Sequence, residues 1–218
     1  MTGGMLKIHH EGLKVIRAGR AIPWLVIALV ALGGGCVSTR RRPSAAARVV
    51  AGVPFFPQQP HQCGPAALAS LVGFFGHPAT PDRIAAEIYE PTAAGTSTAS
   101  MLAYGALHQL PLHVARGTID AVYAEIDAGR PLIALHRQSL PWSDFHYVVV
   151  TGYEPSDGTL YGYSGHDAHA QWSRKGFMRR WESADNWLLT WADGEAGFAA
   201  AADRRARAED QPQPDQAE

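Results

Sequence analysis

Cysteine is scarce in this sequence: Cys36 and Cys63 are the only two among 218 residues. They could pair in an oxidising compartment, but each has a separate explanation, and a bond would remove the one thiol inside the folded part. Charge of one sign is not in excess either, with 19 basic residues against 20 acidic ones. That balance gives no global basic field, and no zinc-finger or aromatic–basic pattern is present, so nucleic acid is not an expected partner. The glycines are scattered and do not fall into the strand–turn–helix spacing of a phosphate loop or dinucleotide fingerprint, so no nucleotide cofactor is expected. The longest apolar run, residues 21–32, is shorter than a comfortable bilayer span. Internal repeats are absent.

What is present begins with a basic N-terminus, Lys7, Lys14, Arg17 and Arg20, followed by that apolar run and then Gly33-Gly34-Gly35-Cys36. A positive start, a short apolar core and small residues before a cut are the layout of a secretory signal peptide over residues 1–36. The small residues followed by Cys36 resemble the processing site of bacterial lipoproteins, although Gly33 stands where that motif usually has Leu. The resemblance implies acylation of Cys36 and a membrane-anchored protein of the cell envelope. Val37 in place of Asp implies the outer membrane, facing the periplasm. Residues 37–52, with Arg40-Arg41-Arg42 and Pro43-Ser44-Ala45-Ala46-Ala47, lack sustained alternation and are expected to be a flexible tether.

The stretch Gln58-Gln59-Pro60-His61-Gln62-Cys63-Gly64-Pro65-Ala66 carries a cysteine from a turn into an apolar, helix-forming segment, Ala66–Phe75, with Gly76 as its expected stop. A thiol at a helix start meets unpaired backbone N–H groups and the positive end of the dipole, which should lower its pKa toward a nucleophilic thiolate. Gly64 allows close backbone approach, and Pro65 is tolerated in a first turn. An amide side chain just upstream, Gln58 or Gln59, could donate to the oxyanion of a tetrahedral intermediate beside the N–H of Cys63. Far along the chain, His146 heads the most strongly β-forming run, His146–Thr151. His136, on or beside another strand, competes formally as a base.

Between these points the pattern predicts helices at Thr80–Tyr89, capped by Thr80; at Thr98–Leu110, with Met101, Leu102 and Leu107 inward; and at Ile119–Ala128. Strands are expected at Pro111–Ala115, Arg130–His136 and Thr159–Tyr163. Ser164–His169 reads as a loop, Ser173–Trp181 as a helix with Phe177 and Trp181 inward, and Asn186–Thr190 as a strand closing the sheet. His166 and His169 with Asp167 could hold a metal, but three ligands in one short loop are weak grounds, and solvent-exposed histidines without a metal are expected. The whole is an α+β arrangement, helices first and then an antiparallel sheet, over residues 53–190. Residues 191–218 turn to Ala, Arg, Glu, Asp, Gln and Pro and read as a frayed helix entering a disordered tail.

Together, Gln58–Ala69, His146–Gly152, and Phe177-x-x-x-Trp181 with Trp187-Leu188-Leu189 resemble the C39 peptidase family, papain-like cysteine peptidase domains. Within it they resemble a free-standing, lipoprotein-like branch with the same Gln-x-x-x-Gln-Cys-Gly-Pro-Ala-Ala-Leu start. The resemblance implies Cys63 as nucleophile, His146 as general base and Gln58 as oxyanion donor, acting on a periplasmic peptide or protein without a cofactor. It breaks at the third member. Where the family has Asp-Pro, this chain has Ser164-Gly165, leaving Ser164 or Asp167 to orient His146. That departure keeps two further readings open: a catalytically weak domain that binds peptide or serves a maturation partner, and a Cys–His acyltransferase.

Overall fold

The architecture comes from a computed structural model that describes residues 41–138 and 145–192. The expected signal segment, Cys36, the first part of the tether, the loop before the β-run and the C-terminal tail lie outside the described residues. Three helices come first: α1 (Cys63–Phe74), α2 (Pro81–Ile88) and α3 (Thr98–Leu107). Then follow strand β2 (Leu112–Arg116), helix α4 (Ile119–Asp127), and strands β3 (Leu132–Arg137), β4 (Phe145–Tyr153), β5 (Leu160–Ser164) and β6 (Asp167–Trp172). Helix α5 (Arg174–Glu182) and strand β7 (Trp187–Trp191) complete the order, and a short β1 (Arg48–Val49) precedes them all.

Helix α1 is the apolar centre. Gly64 through Val72 and then Phe74 are buried, so it is covered nearly all round, as a helix rich in Ala, Leu and Val must be. It starts three residues earlier than the apolar pattern suggested, at Cys63 itself, because Gly64 and Pro65 are accepted in a first turn. It ends where expected, at Gly76. With φ of 87°, Gly76 allows the paired closing bonds Gly76 N–H to Gly73 O (3.2 Å) and His77 N–H to Val72 O (3.0 Å). Thr80 caps α2 by accepting from the Arg83 N–H, as its position before Pro81 predicts.

The described strands form one seven-stranded antiparallel sheet in the order β2-β7-β3-β4-β5-β6, with β1 added to β4. α1 packs on β4 and β3, while α5 packs on β3 and β6. Because side chains alternate along a strand, Tyr147 and its register partner Leu135 face the α1 layer, and His136 faces the rings of α5.

Four expectations change. β7 does not close the sheet at an edge; it is inserted between β2 and β3, because α5 carries the chain back across the sheet with Phe177 and Trp181 buried beneath it. In α3 the inward residues are Met101, Tyr104 and Gly105, while Leu102 and Leu107 are 39% and 72% exposed. Met101 fixes the buried face, and Leu102 and Leu107 lie off that stripe. Residues 164–169 are not a loop but the end of β5, a two-residue turn with Gly165 at φ 65°, and the start of β6. Finally, pairing reaches back into the expected tether, since Arg48 and Val49 lie opposite Tyr153 and Gly152.

Candidate active site

Cys63 is the first residue of α1, presented by the turn Gln59-Pro60-His61-Gln62. The Gln62 N–H closes that turn on Gln59 O at 3.0 Å, and Pro60 followed by His61 at φ 61° matches the residue pattern of a type II turn. The Gln62 side chain makes no capping bond, and no acidic residue occupies the first turn. The thiol is free. Its environment reverses the sign expected from the helix start. Burial pushes the Cys63 pKa up, outweighing the backbone N–H groups of Tyr147, Gly64 and Cys63 itself, which favour the anion. Gly64 is required here by a side chain, not by backbone: a Cβ at this position would lie 2.8 Å from Thr96 Cβ and 3.0 Å from Met101 Cε.

His146, the second residue of β4, lines the same cleft as Cys63, a hollow of about 800 Å³ that is also bordered by Gln58, Glu90, Thr96 and Tyr147. Its Nε2 is 3.0 Å from Ser164 Oγ. Burial alone pulls its pKa down to about 4, and no carboxylate acts on it to raise that value. At neutral pH the resting pair is therefore a neutral thiol and a neutral imidazole.

Ser164 reaches this nitrogen because β5 pairs with β4 and its register with β6 shifts between Gly162 and Ser164, a bulge at the edge of the site. Asp167 is directly opposite Ser164, and its Oδ1 accepts the His169 N–H at 2.9 Å. Of the two candidates for orienting the ring, the serine is the one at the imidazole.

Gln58 is held to the same turn. Its N–H donates to Gly165 O at 3.2 Å, and the segment leading to it is fastened by the Tyr163 hydroxyl donating to Val53 O at 2.7 Å. The Gln58 side chain borders the cleft, and its Oε1 is buried with no hydrogen-bond partner. Gln59 is exposed and outside the cleft.

His136 is directly opposite His146 in register, yet it is not a rival base. It is 2% exposed, edge-on to Phe177 and Trp172 with ring centroids at 4.7 Å and 5.6 Å, and absent from the cleft wall. Burial first, then Arg180 and His146, pull its pKa to about 3. The sequence placed it where the chain turns polar, but α5 covers that position. His166 and His169 are exposed, and no group of three or more metal-ligating side chains occurs among the described residues.

Sequence reasoning missed Tyr147 and Thr96 as parts of the site. The Tyr147 hydroxyl donates to Thr96 O at 3.2 Å, tying the loop after α2 to β4 beside the thiol. Its neighbour His146 was a signal for Tyr147; nothing local marked Thr96, which arrives by tertiary docking.

A cysteine at the head of a helix and a histidine on a strand border one cleft, and helices packed on an antiparallel sheet in this way give a papain-like cysteine peptidase fold. The profile of the Peptidase_C39 like family matches residues 50–188, and the chain belongs to that family. No curated protein matches it. Among solved structures it is similar to a candidate C39-like peptidase from Bacillus anthracis, with 14% identity and TM-score 0.56, covering 68% of this chain and 98% of that one. It is also similar to the peptidase domain of Streptococcus ComA, a bi-functional ABC transporter involved in quorum sensing. There the identity is 16% and the TM-score 0.53, over 65% of this chain and all of that one (100%). A third is a double glycine motif protease from an AMS/PCAT transporter in complex with its leader peptide, at 15% identity and TM-score 0.52, covering 66% and 96% of the two chains. At these identities the likeness is one of fold.

Proposed function

We propose that the domain is a cysteine peptidase that opens peptide bonds by acyl transfer, with Cys63 as nucleophile, His146 as base and Ser164 as the group that orients the ring. The observation that carries this reading is the 3.0 Å approach of His146 Nε2 to Ser164 Oγ, on a histidine that shares a cleft with the thiol at the head of α1. In the productive tautomer Nε2–H donates to the serine oxygen, leaving the Nδ1 lone pair for the thiol proton. As that proton moves to Nδ1, the sulfur attacks the carbonyl carbon. The oxyanion is met by the Cys63 N–H and the Gln58 amide. His146 then delivers its proton to the leaving amine, and water, deprotonated by the same nitrogen, releases the acid and restores the thiol.

The neutral resting pair asks more of this arrangement than a preformed thiolate would. A proton must cross in a buried site, and the ion pair so formed is supported by N–H groups and one serine, with no carboxylate. The second reading is a domain that holds peptide in its cleft and turns it over slowly. A peptide or protein is the substrate class in both; the solved relative with a leader peptide bound supports a peptide occupant for the fold. We further propose a periplasmic setting with Cys36 as an acylated anchor, supported by the small residues before that cysteine. Incorporation of an alkyne fatty acid that disappears in Cys36→Ser tests the anchor.

The peptidase reading is tested by incubating a diverse peptide pool with the wild-type chain and with Cys63→Ala, and identifying new termini by mass spectrometry. New termini made only by the wild type support turnover. A conjugate in place of a free acid when an amine is added would reassign the chemistry to acyl transfer. Retention of peptide without new termini would establish the binding reading.

A further inference from the structure

The segment between α2 and α3 forms one wall of the cleft, and Glu90 stands at its base. An isolated bridge between Glu90 and Gly95 closes the segment on itself, with Glu90 N–H to Gly95 O at 2.8 Å. Ala94, at φ 46°, turns it, and the following Thr96 meets both Gly64 and the Tyr147 hydroxyl. The wall is thus pinned to the nucleophile's helix and to the histidine's strand.

Among the described residues that line the cleft, Glu90 is the one carboxylate, and there is no lysine or arginine. The Ser100 hydroxyl donates to its carboxylate, Ser100 is in turn 2.8 Å from Ser97 Oγ, and these hydroxyls hold the Glu90 carboxyl below the usual range. Hydroxyl donors fix the position of a charge without cancelling it. No cation of the described chain forms an ion pair with Glu90. Burial drives the Tyr147 phenol up to about 12, and the negative charge of Glu90 across the cleft acts in the same direction.

We propose that Glu90 determines specificity in this cleft, selecting peptide segments with a lysine or arginine side chain beside the bond facing Cys63. An ionised, positioned carboxylate, on a wall whose other described lining residues include no Asp, Lys or Arg, attracts a cation and repels an acidic side chain. This rests on the peptide-cleft reading above, but on binding and not on turnover, so the two can fail separately.

The test uses the full chain with Cys63→Ala, which can bind but not cleave, immobilised and exposed to a randomised peptide library with blocked termini. Blocking excludes the terminal ammonium as the cation. Retained peptides should be enriched in Lys and Arg over Asp and Glu by about five-fold, the scale of a partly exposed ion pair. The enrichment should fade in 1 M salt and vanish in Cys63→Ala/Glu90→Gln, whose amide oxygen can still accept from Ser100. An unbiased retained pool, a bias that survives 1 M salt, or a bias unchanged by Glu90→Gln overturns the proposal. The salt series needs only Cys63→Ala, so it decides even if the double variant does not fold. Cleavage of the same library by the wild type reads the peptidase assignment independently.

Discussion

His146 Nε2 is 3.0 Å from the Ser164 hydroxyl, and across the hairpin Asp167 accepts the His169 N–H. In the proposed mechanism the bond that orients the ring is neutral. A carboxylate in that place would stabilise the imidazolium by charge; a serine fixes the ring's angle and tautomer and adds only a dipole.

Removing that dipole should therefore cost orientation. Ser164→Ala is expected to lower kcat about five- to ten-fold, the scale of one neutral hydrogen bond, with KM little changed. Steady-state kinetics on a cleaved peptide check this. Ser164→Asp should raise the His146 pKa, because a nearby negative charge favours the protonated ring, and should move the acid limb of kcat/KM toward neutral pH.

The acid limb of the wild type should lie low. Burial places His146 at about 4, so the ring is already a free base well below neutral, and kcat/KM should persist down to about pH 4 to 5. The alkaline limb follows the thiol, which burial lifts above its ordinary value of 9.0. A pH–rate profile with its acid midpoint near 6.5 would contradict this account of the site.

Fold stability carries the same signature. His136 and His146 titrate at about 3 and about 4 in the fold, against 6.5 for a free imidazole. Both pKa values are depressed, so the unfolded chain takes up protons first. Stability is fully present above about pH 6.5 and falls as pH drops from there toward 4. Each imidazole contributes a slope of up to ~1.4 kcal/mol per pH unit. Urea melts at pH 7.0, 5.5 and 4.5 measure it, and His136→Phe should flatten the dependence by about one proton's share.

Gly64→Ala tests the contact between the helix start and the cleft wall. The added methyl would lie 2.8 Å from Thr96 Cβ, so the wall must shift despite the helix-favouring substitution. A net loss of ~1–3 kcal/mol is expected from overpacking, read by denaturant unfolding.

Several of these features were legible in the residues themselves. The turn into Cys63, the β-run from His146, the caps at Thr80 and Gly76 and the ring pair Phe177 and Trp181 each rest on local chemistry. The misreadings have tertiary causes. The helix dipole alone predicts a lowered thiol pKa, but burial beside Tyr147 decides its direction. An apolar helix such as α3 offers more than one stripe, so the pattern alone points Leu102 and Leu107 inward, whereas docking selects Met101 and Tyr104. Ser164 could not be separated from Asp167 without the bulge and the two-residue turn that place them. Glu90 and Thr96 had no local mark, because their meaning lies in a wall built by contacts with Gly64 and Tyr147.

The central claim is that His146 activates Cys63, and the rate at which a peptidyl thiol-directed electrophile modifies Cys63 measures it most directly, compared between the wild type and His146→Ala at pH 6. The account predicts rapid single-site modification of the wild type and a rate at least about a hundred-fold lower in the variant, the usual scale of general-base assistance. Equal rates in the two proteins would contradict it.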